Sequence, residues 1–193
     1  MLFDQQSRLK PLWGDDFPRV VLIGVVVVSV VLHPDVAVAI EVCDRLRAGG
    51  LAVVPEPDNA EYGAVVSATG ETRFRAGKLT PTKVGLFVTV WRRANDGSTE
   101  PLPAEDSSQS LVIAVREADN LGLFVFPKSA LVERGIVSIG GVGGKRGFRV
   151  YPPWSATENP QAKRSQKWQC RFFLDLGNGD VDSQRARRLF DAT

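Results

Sequence analysis

A chain of 193 residues, 44% apolar and 24% charged, is the size of one ordinary domain and can bury a sizeable core, which excludes a disordered polymer. Its formal net charge of +2 excludes a molecule that is basic as a whole, and a single histidine, His33, excludes any multi-histidine metal site. Two cysteines, Cys43 and Cys170, are too few for a disulfide framework. Each falls where a helix is expected, so both are read as reduced and buried, in a cytoplasmic protein.

Residues 1–33 read as an N-terminal extension whose centre, residues 20–32, is a nearly unbroken run of Val, Leu and Ile. The run is shorter than the roughly 20 apolar residues that a bilayer span needs. Ala37-Val38-Ala39 imitates a signal-peptide cleavage site, but Asp4, Asp15 and Asp16 precede the run and Pro34-Asp35 interrupts the approach. The β-branched run also fits a buried strand, so packed structure is expected rather than export, with no membrane span. His33, just before Pro34, is read as a helix-boundary residue. A helix is expected from Pro34 to the pair Gly49-Gly50, with Val36, Ala37, Ile40 and Leu46 inward.

Residues 55–58 are expected to form a loop, and residues 64–68 and 72–76 a hairpin around Thr69-Gly70, with Phe74 on one face and Arg73 and Arg75 on the other. Further strands are expected over residues 86–91, 111–115 and 121–126. Between the first two lies an exposed loop over residues 94–108, rich in polar residues and proline. A short helix over residues 128–134 is stopped by Gly135, and residues 136–139 and 148–151 flank the glycine loop 140–144. Asn159 caps and Pro160 opens a last helix running to about Leu176. The expected fold is mixed α/β, a mostly antiparallel central sheet flanked by N- and C-terminal helices. One domain spans residues 34–177, and residues 178–193 form a polar, basic tail that can make a further short helix.

Charge falls in blocks. Residues 71–93 carry six bases against one acid, residues 145–171 seven against one, and residues 96–119 six acids against one base. If the two basic segments meet in space they make a basic face; the plainer reading is a solvated surface. In the first block a strand brings Arg73 and Arg75, and a turn shaped by Gly77 and Pro81 gathers Lys78, Thr80, Thr82 and Lys83. Cations and hydroxyls of this kind suit phosphate or carboxylate groups, because charge-assisted hydrogen bonds are the strong ones. In the second, Lys145, Arg146 and Arg149 stand beside Tyr151 and Trp154, a pairing of charge and rings that suits single-stranded nucleic acid; the rings can equally be core residues. The glycine loop is not a phosphate loop, since Ile139 stands where the first glycine belongs and Arg146 replaces the hydroxyl residue. Glu61, Glu117 and Asp119 are the acids that could oppose the basic cluster and hold Mg²⁺ or Mn²⁺.

Several motifs in order resemble the MepB-like family: Glu61-Tyr62-Gly63-Ala64, the run from Phe74 through Ala76-Gly77-Lys78-Leu79-Thr80-Pro81-Thr82-Lys83 to Gly85, Phe87-Val88-Thr89-Val90-Trp91, Phe126-Pro127-Lys128-Ser129, the run from Gly144 to Pro152, and Gln166-Lys167-Trp168-Gln169. The resemblance extends from about residue 55 to residue 176 and adds Lys128, Gln166 and Trp168 to the candidate binding residues. It implies a restriction-endonuclease-like core, in which Glu61 would be the first acid and Lys78 the lysine of a metal-dependent nuclease. Ala76 occupies the place of the second acid, which leaves Glu117 or Asp119 as substitutes. The family takes its name from a member encoded beside a multidrug efflux pump, so an accessory role in efflux is a further implication. Three readings therefore stand: a basic cleft for nucleic acid or another anionic ligand, a nuclease with Glu61, Lys78 and Asp119 at its centre, and a pocket for a small phosphorylated or carboxylated metabolite.

Overall fold

The valine-rich run turns back on itself. In the computed structural model, which describes residues 19–23, 26–47, 50–177 and 181–191, strands β1 (Arg19–Ile23) and β2 (Val26–Val30) pair antiparallel with Arg19 opposite Val30. The single strand read from the sequence is thus two: a run this long exceeds the usual strand of about 5–6 residues, and folding it back lets each half satisfy the other's backbone groups. No helix among the described residues is long and apolar enough to cross a membrane. Ala37-Val38-Ala39 lies inside helix α1 (Pro34–Arg47). His33 ends the approach to that helix, its carbonyl accepting from the Ala37 N–H at 2.9 Å. Val36, Ala39, Ile40 and Cys43, spaced three or four apart, form the buried stripe of α1.

Strand β3 (Val53–Pro55) leads into a 3₁₀ turn (Pro57–Tyr62), where a plain loop was expected, and then into the hairpin β4 (Val65–Ser67) and β5 (Thr72–Ala76). The chain leaves β5 through Gly77 and continues as β6 (Lys78–Thr80), β7 (Lys83–Thr89), β8 (Trp91–Arg93) and β9 (Thr99–Pro101). It returns as the long antiparallel pair β10 (Ser110–Glu117) and β11 (Asn120–Pro127), then α2 (Lys128–Glu133) and β12 (Gly147–Val150). Residues 136–139 make isolated bridges rather than a strand, Ser138 with Pro103 and Ile139 with Val142.

Helix α3 (Pro160–Gln169), capped by the Asn159 side chain, is shorter than expected. A 3₁₀ turn (Cys170–Phe172) and strand β13 (Phe173–Asp175) take the rest. The reason is visible in the side chains: Phe173 and Leu174 enter opposite cores, which neighbours on a strand do and neighbours on a helix do not. Gly122 on β11 makes room, for a Cβ there would meet the Phe173 ring at 2.2 Å. The last element, α4 (Ser183–Asp191), buries Ala186, Leu189 and Phe190 beside α1, so this part of the basic tail packs with the body.

The main sheet has six strands in the order β13-β11-β10-β5-β4-β3, antiparallel except where β5 and β10 run parallel, with Arg75 opposite Ile113. The fold is therefore mixed α/β with a mostly antiparallel sheet. Both faces are covered, which explains the unbroken apolar runs in β10 and β11. Phe74, Val112 and Ala114 face α1 and α4, while Ile113, Val115 and Phe124 face a second, three-stranded sheet, β12-β7-β6, through Leu86, Val88, Phe148 and Val150. Burying each such side chain contributes about 1.5–3 kcal/mol. The outer face of the second sheet is left to carry polar groups.

The β6–β7 hairpin depends on a bulge at Val84-Gly85, marked by a register shift between Leu79 and Thr80. Gly85 has φ 79°, and a Cβ there would lie 2.6 Å from both the Tyr151 ring and the Val150 carbonyl oxygen. Gly85→Ala is expected to destabilise the protein by about 1–3 kcal/mol, read as a fall in the urea unfolding midpoint.

Candidate functional site

The register of the second sheet sets Lys78 opposite Phe87 and Phe87 opposite Arg149, so the three share its outer face as one row. The contacts follow: the Lys78 ammonium lies 4.5 Å from the Tyr62 ring centroid, Tyr62 packs edge-on against Phe87 at 6.3 Å, and the Arg149 guanidinium stands 6.0 Å from the Phe87 ring. Glu61 pairs with Lys78 at 3.2 Å on an exposed surface. Burial, with Glu61 alongside, raises the Tyr62 phenol above its ordinary value. Arg149 donates to the Gly85 carbonyl at 3.0 Å and the Thr80 hydroxyl at 2.6 Å, and among the described residues it has no carboxylate partner.

Beside this row, between the open edge of β12 and helix α3, lies an open cleft of about 890 Å³. Lys83 and Val84 line one end and Lys145 and Arg134 the other, with Arg149, Tyr151 and Trp168 along it and Glu158 as the one carboxylate. Lys83 and Lys145 are exposed and form no ion pair among the described residues. The Arg134 guanidinium stacks 5.3 Å from the Trp168 ring. The cleft floor is held by Gln169, whose buried amide accepts from the Tyr151 N–H and donates to the Arg149 carbonyl, both at 2.8 Å, doing for the β12 edge what a neighbouring strand would do. Uncompensated cations beside ring faces and backbone edges can hold an anion and a planar group together.

The remaining candidates lie elsewhere. Arg73 pairs with Glu56 and, at 2.8 Å, with Asp106; Arg75, fully buried, pairs with Glu56 at 2.6 Å. Burial, with Arg73 alongside, pushes the Arg75 guanidinium down to about 9, so it stays charged at neutral pH and Glu56 neutralises it. Lys128 donates to the Asp106 carbonyl at 2.6 Å, and Arg146 to the Thr99 carbonyl at 2.8 Å. Gln166 ties down the Pro152 and Ser155 carbonyls, shaping the loop that borders the cleft. Thr82 is exposed at the tip of the β6–β7 turn. Asp119 is exposed in the turn between β10 and β11. Among the described residues no group of three or more His, Cys, Asp or Glu is arranged to hold a metal ion. Glu61 beside a lysine does not provide the several oxygens that Mg²⁺ or Mn²⁺ takes.

Sequence reasoning missed Arg134 and Gln169 as cleft residues, and Glu56 and Asp106 as the partners that occupy Arg73 and Arg75. Arg134 carries no local signal, because only the packing of α2 against α3 brings it to Trp168. Cys43 is buried as expected; Cys170 is half-buried, and its burial raises the thiol above its ordinary value.

A mixed α/β body whose second sheet opens an edge onto a cation-lined cleft is the class of protein that these features define. The MepB-like family model matches residues 56–175, and a crystal structure of MepB is 33% identical, covering 71% of this chain and 95% of that one with a TM-score of 0.62. The chain belongs to the MepB-like family. No curated protein matches it.

The paired arginines make two expectations. Glu56→Ala leaves the Arg75 charge buried without its partner and is expected to cost about 3 kcal/mol, measured by urea unfolding. For Asp106, burial raises the carboxyl, but the Ser108 hydrogen bonds and the Arg73 charge outweigh it and hold it below its ordinary value. A depressed acid stabilises the fold above its unfolded pKa of about 4 and loses that contribution as pH falls through the folded value. Asp106→Asn is therefore expected to lower the melting temperature at pH 7 and to match the parent protein near pH 2, in a pH series of thermal melts.

Proposed function

We propose that the cleft between β12 and α3 binds an anionic ligand that carries planar rings, with single-stranded nucleic acid as the best match. The observation that carries this reading is the set Lys83, Lys145 and Arg149, cations with no carboxylate partner among the described residues, ranged along a cleft that also holds Tyr151 and Trp168. Phosphates are held by such cations and bases by ring faces, and the cleft is open enough to admit a strand from the side. A second reading, a small phosphorylated or carboxylated metabolite, is supported by the cleft volume of about 890 Å³, which is in the range of small-ligand sites. The nuclease reading keeps one supporting feature, the 3.2 Å pairing of Glu61 with Lys78, without further acids to complete a metal site.

The test is fluorescence anisotropy of a labelled single-stranded oligonucleotide across salt, with Mg²⁺, Mn²⁺ or EDTA. With three cations engaged, the slope of log affinity against log salt is expected to be about −2, so affinity falls roughly twentyfold between about 50 and 200 mM salt. Lys83→Ala and Lys145→Ala should each weaken binding and reduce the slope by about 0.7. Binding of nucleoside phosphates but not of oligonucleotides would favour the metabolite. Cleavage that needs Mn²⁺ and disappears in both Glu61→Ala and Lys78→Ala would replace the binding reading with a nuclease.

A further inference from the structure

Seven bases fall between residues 145 and 171, and the cleft and the fold account for three of them. Lys145 and Arg149 line the cleft, and Arg146 is bonded to Thr99. The other four, Lys163, Arg164, Lys167 and Arg171, belong to α3 and the 3₁₀ turn that follows it. All four are exposed, and among the described residues none of their side chains has an ion-pair or hydrogen-bond partner.

Helix geometry sets these residues on one ridge. Lys163, Lys167 and Arg171 follow one another at four-residue spacing, and Arg164 lies beside them, seven residues before Arg171. The ridge runs roughly 12 Å at about 1.5 Å per residue. It also adjoins the cleft. Arg164 stands three residues after Gln161 and four before Trp168, both of which line the cleft, and residues so spaced are neighbours on a helix surface.

The pattern works against the helix that carries it. Helix α3 holds three bases and no acid. Like charges four residues apart repel, and Lys163 stands in the first turn, where the helix dipole disfavours a cation. A helix face that is merely solvated is better served by both signs interspersed. The ridge also lacks an apolar anchor, for none of the large apolar side chains exposed among the described residues lies on α3. Protein partners and bilayers take an apolar centre, whereas a phosphate backbone is held by cations alone.

We propose that the ridge continues the cleft: a single strand of nucleic acid leaves the cleft past Trp168 and lays its phosphates along Arg164, Lys167, Arg171 and Lys163. This rests on the nucleic-acid reading of the cleft and extends its footprint. The cleft alone suits about four nucleotides, the low end of single-strand site sizes, and the ridge carries the footprint into the middle of that range. Bases meet ring faces only in the cleft; on the ridge the strand is held by its backbone.

The experiment compares labelled oligothymidines of about 5 and about 15 nucleotides by anisotropy across salt. The slope of log affinity against log salt is expected to be about −2 for the short strand, from three cleft cations, and about −5 for the long strand, with four more engaged. The triple variant Lys163→Gln, Lys167→Gln, Arg171→Gln changes exposed positions outside the cleft and keeps Arg164 at its border. It should reduce the long-strand slope by about 2 and leave the short-strand slope unchanged. Its melting temperature should equal the parent's or exceed it, since repulsion is relieved. Equal slopes for the two strands in the parent protein would overturn the ridge and leave the cleft standing. Equal losses for the two strands in the variant would trace the effect to net charge and overturn the ridge as well. Failure of the parent protein to bind either strand would overturn the cleft reading and the ridge with it. Sedimentation of the parent but not of the triple variant with phosphatidylglycerol vesicles would reassign the ridge to a membrane surface.

Discussion

A guanidinium with no access to solvent has to be neutralised, and much of this protein is arranged around doing so for Arg75. Glu56 supplies the charge and reaches Arg73 as well, while Asp106 closes the other side of Arg73. The consequences run outward in the chain. Glu56 stands between β3 and the 3₁₀ turn, so its pairing fixes where that turn lies; Asn59 then donates to the Trp91 carbonyl at 2.9 Å, and Tyr62 meets Phe87. Asp106 anchors the acidic loop in the same way, and that loop pins the glycine turn through Glu105. Hydrogen bonds within the turn lower the Glu105 carboxyl below its ordinary value, led by the one from Gly140. One buried charge thus aligns the two segments that border the second sheet.

The same accounting separates the basic residues. Arg73, Arg75, Lys128 and Arg146 are engaged with carboxylates or backbone carbonyls and hold the fold together. Among the described residues Lys83 and Lys145 are not engaged, and Arg149 hydrogen-bonds only to a hydroxyl and to carbonyls, so its charge is left over. Block charge in a sequence does not distinguish these fates, since a surplus becomes a surface field only after internal pairs are subtracted. The exposed pair of Glu61 and Lys78 contributes little to stability, because solvent screens it.

Much of the fold was legible because local rules govern it. Pro34 opens α1, Thr69-Gly70 turns the first hairpin, and Asn159-Pro160 starts α3. What was not legible was decided at a distance. Phe172-Phe173-Leu174 continues a helical pattern until β11 offers an edge beside Gly122, and pairing there outweighs propensity. Leu189 and Phe190 look like part of a polar tail until α1 provides a surface for them. At the cleft, Lys83 could be named from a turn that gathers cations and hydroxyls, and Lys145, Arg149 and Tyr151 from charge beside rings, whereas Trp168 came only with the family resemblance. Arg134 and Gln169 could not, and neither could the neutralising acids, whose roles exist only across elements.

The second sheet is assembled from separate excursions of the chain. Strands β6 and β7 leave between β5 and β10, which are neighbours in the main sheet, and β12 arrives only after β11 and α2 have been laid down. The β6–β7 hairpin has no third strand until β12 arrives, and β12 has no partner strand without that hairpin, so the closure spans contacts far apart in sequence. Pairings of that kind form late, because the entropy of closing the intervening chain must be lost before the contacts reward it. A partly folded or nascent chain therefore holds the cations of the cleft without the cleft itself, which is completed together with β12 rather than growing with the fold.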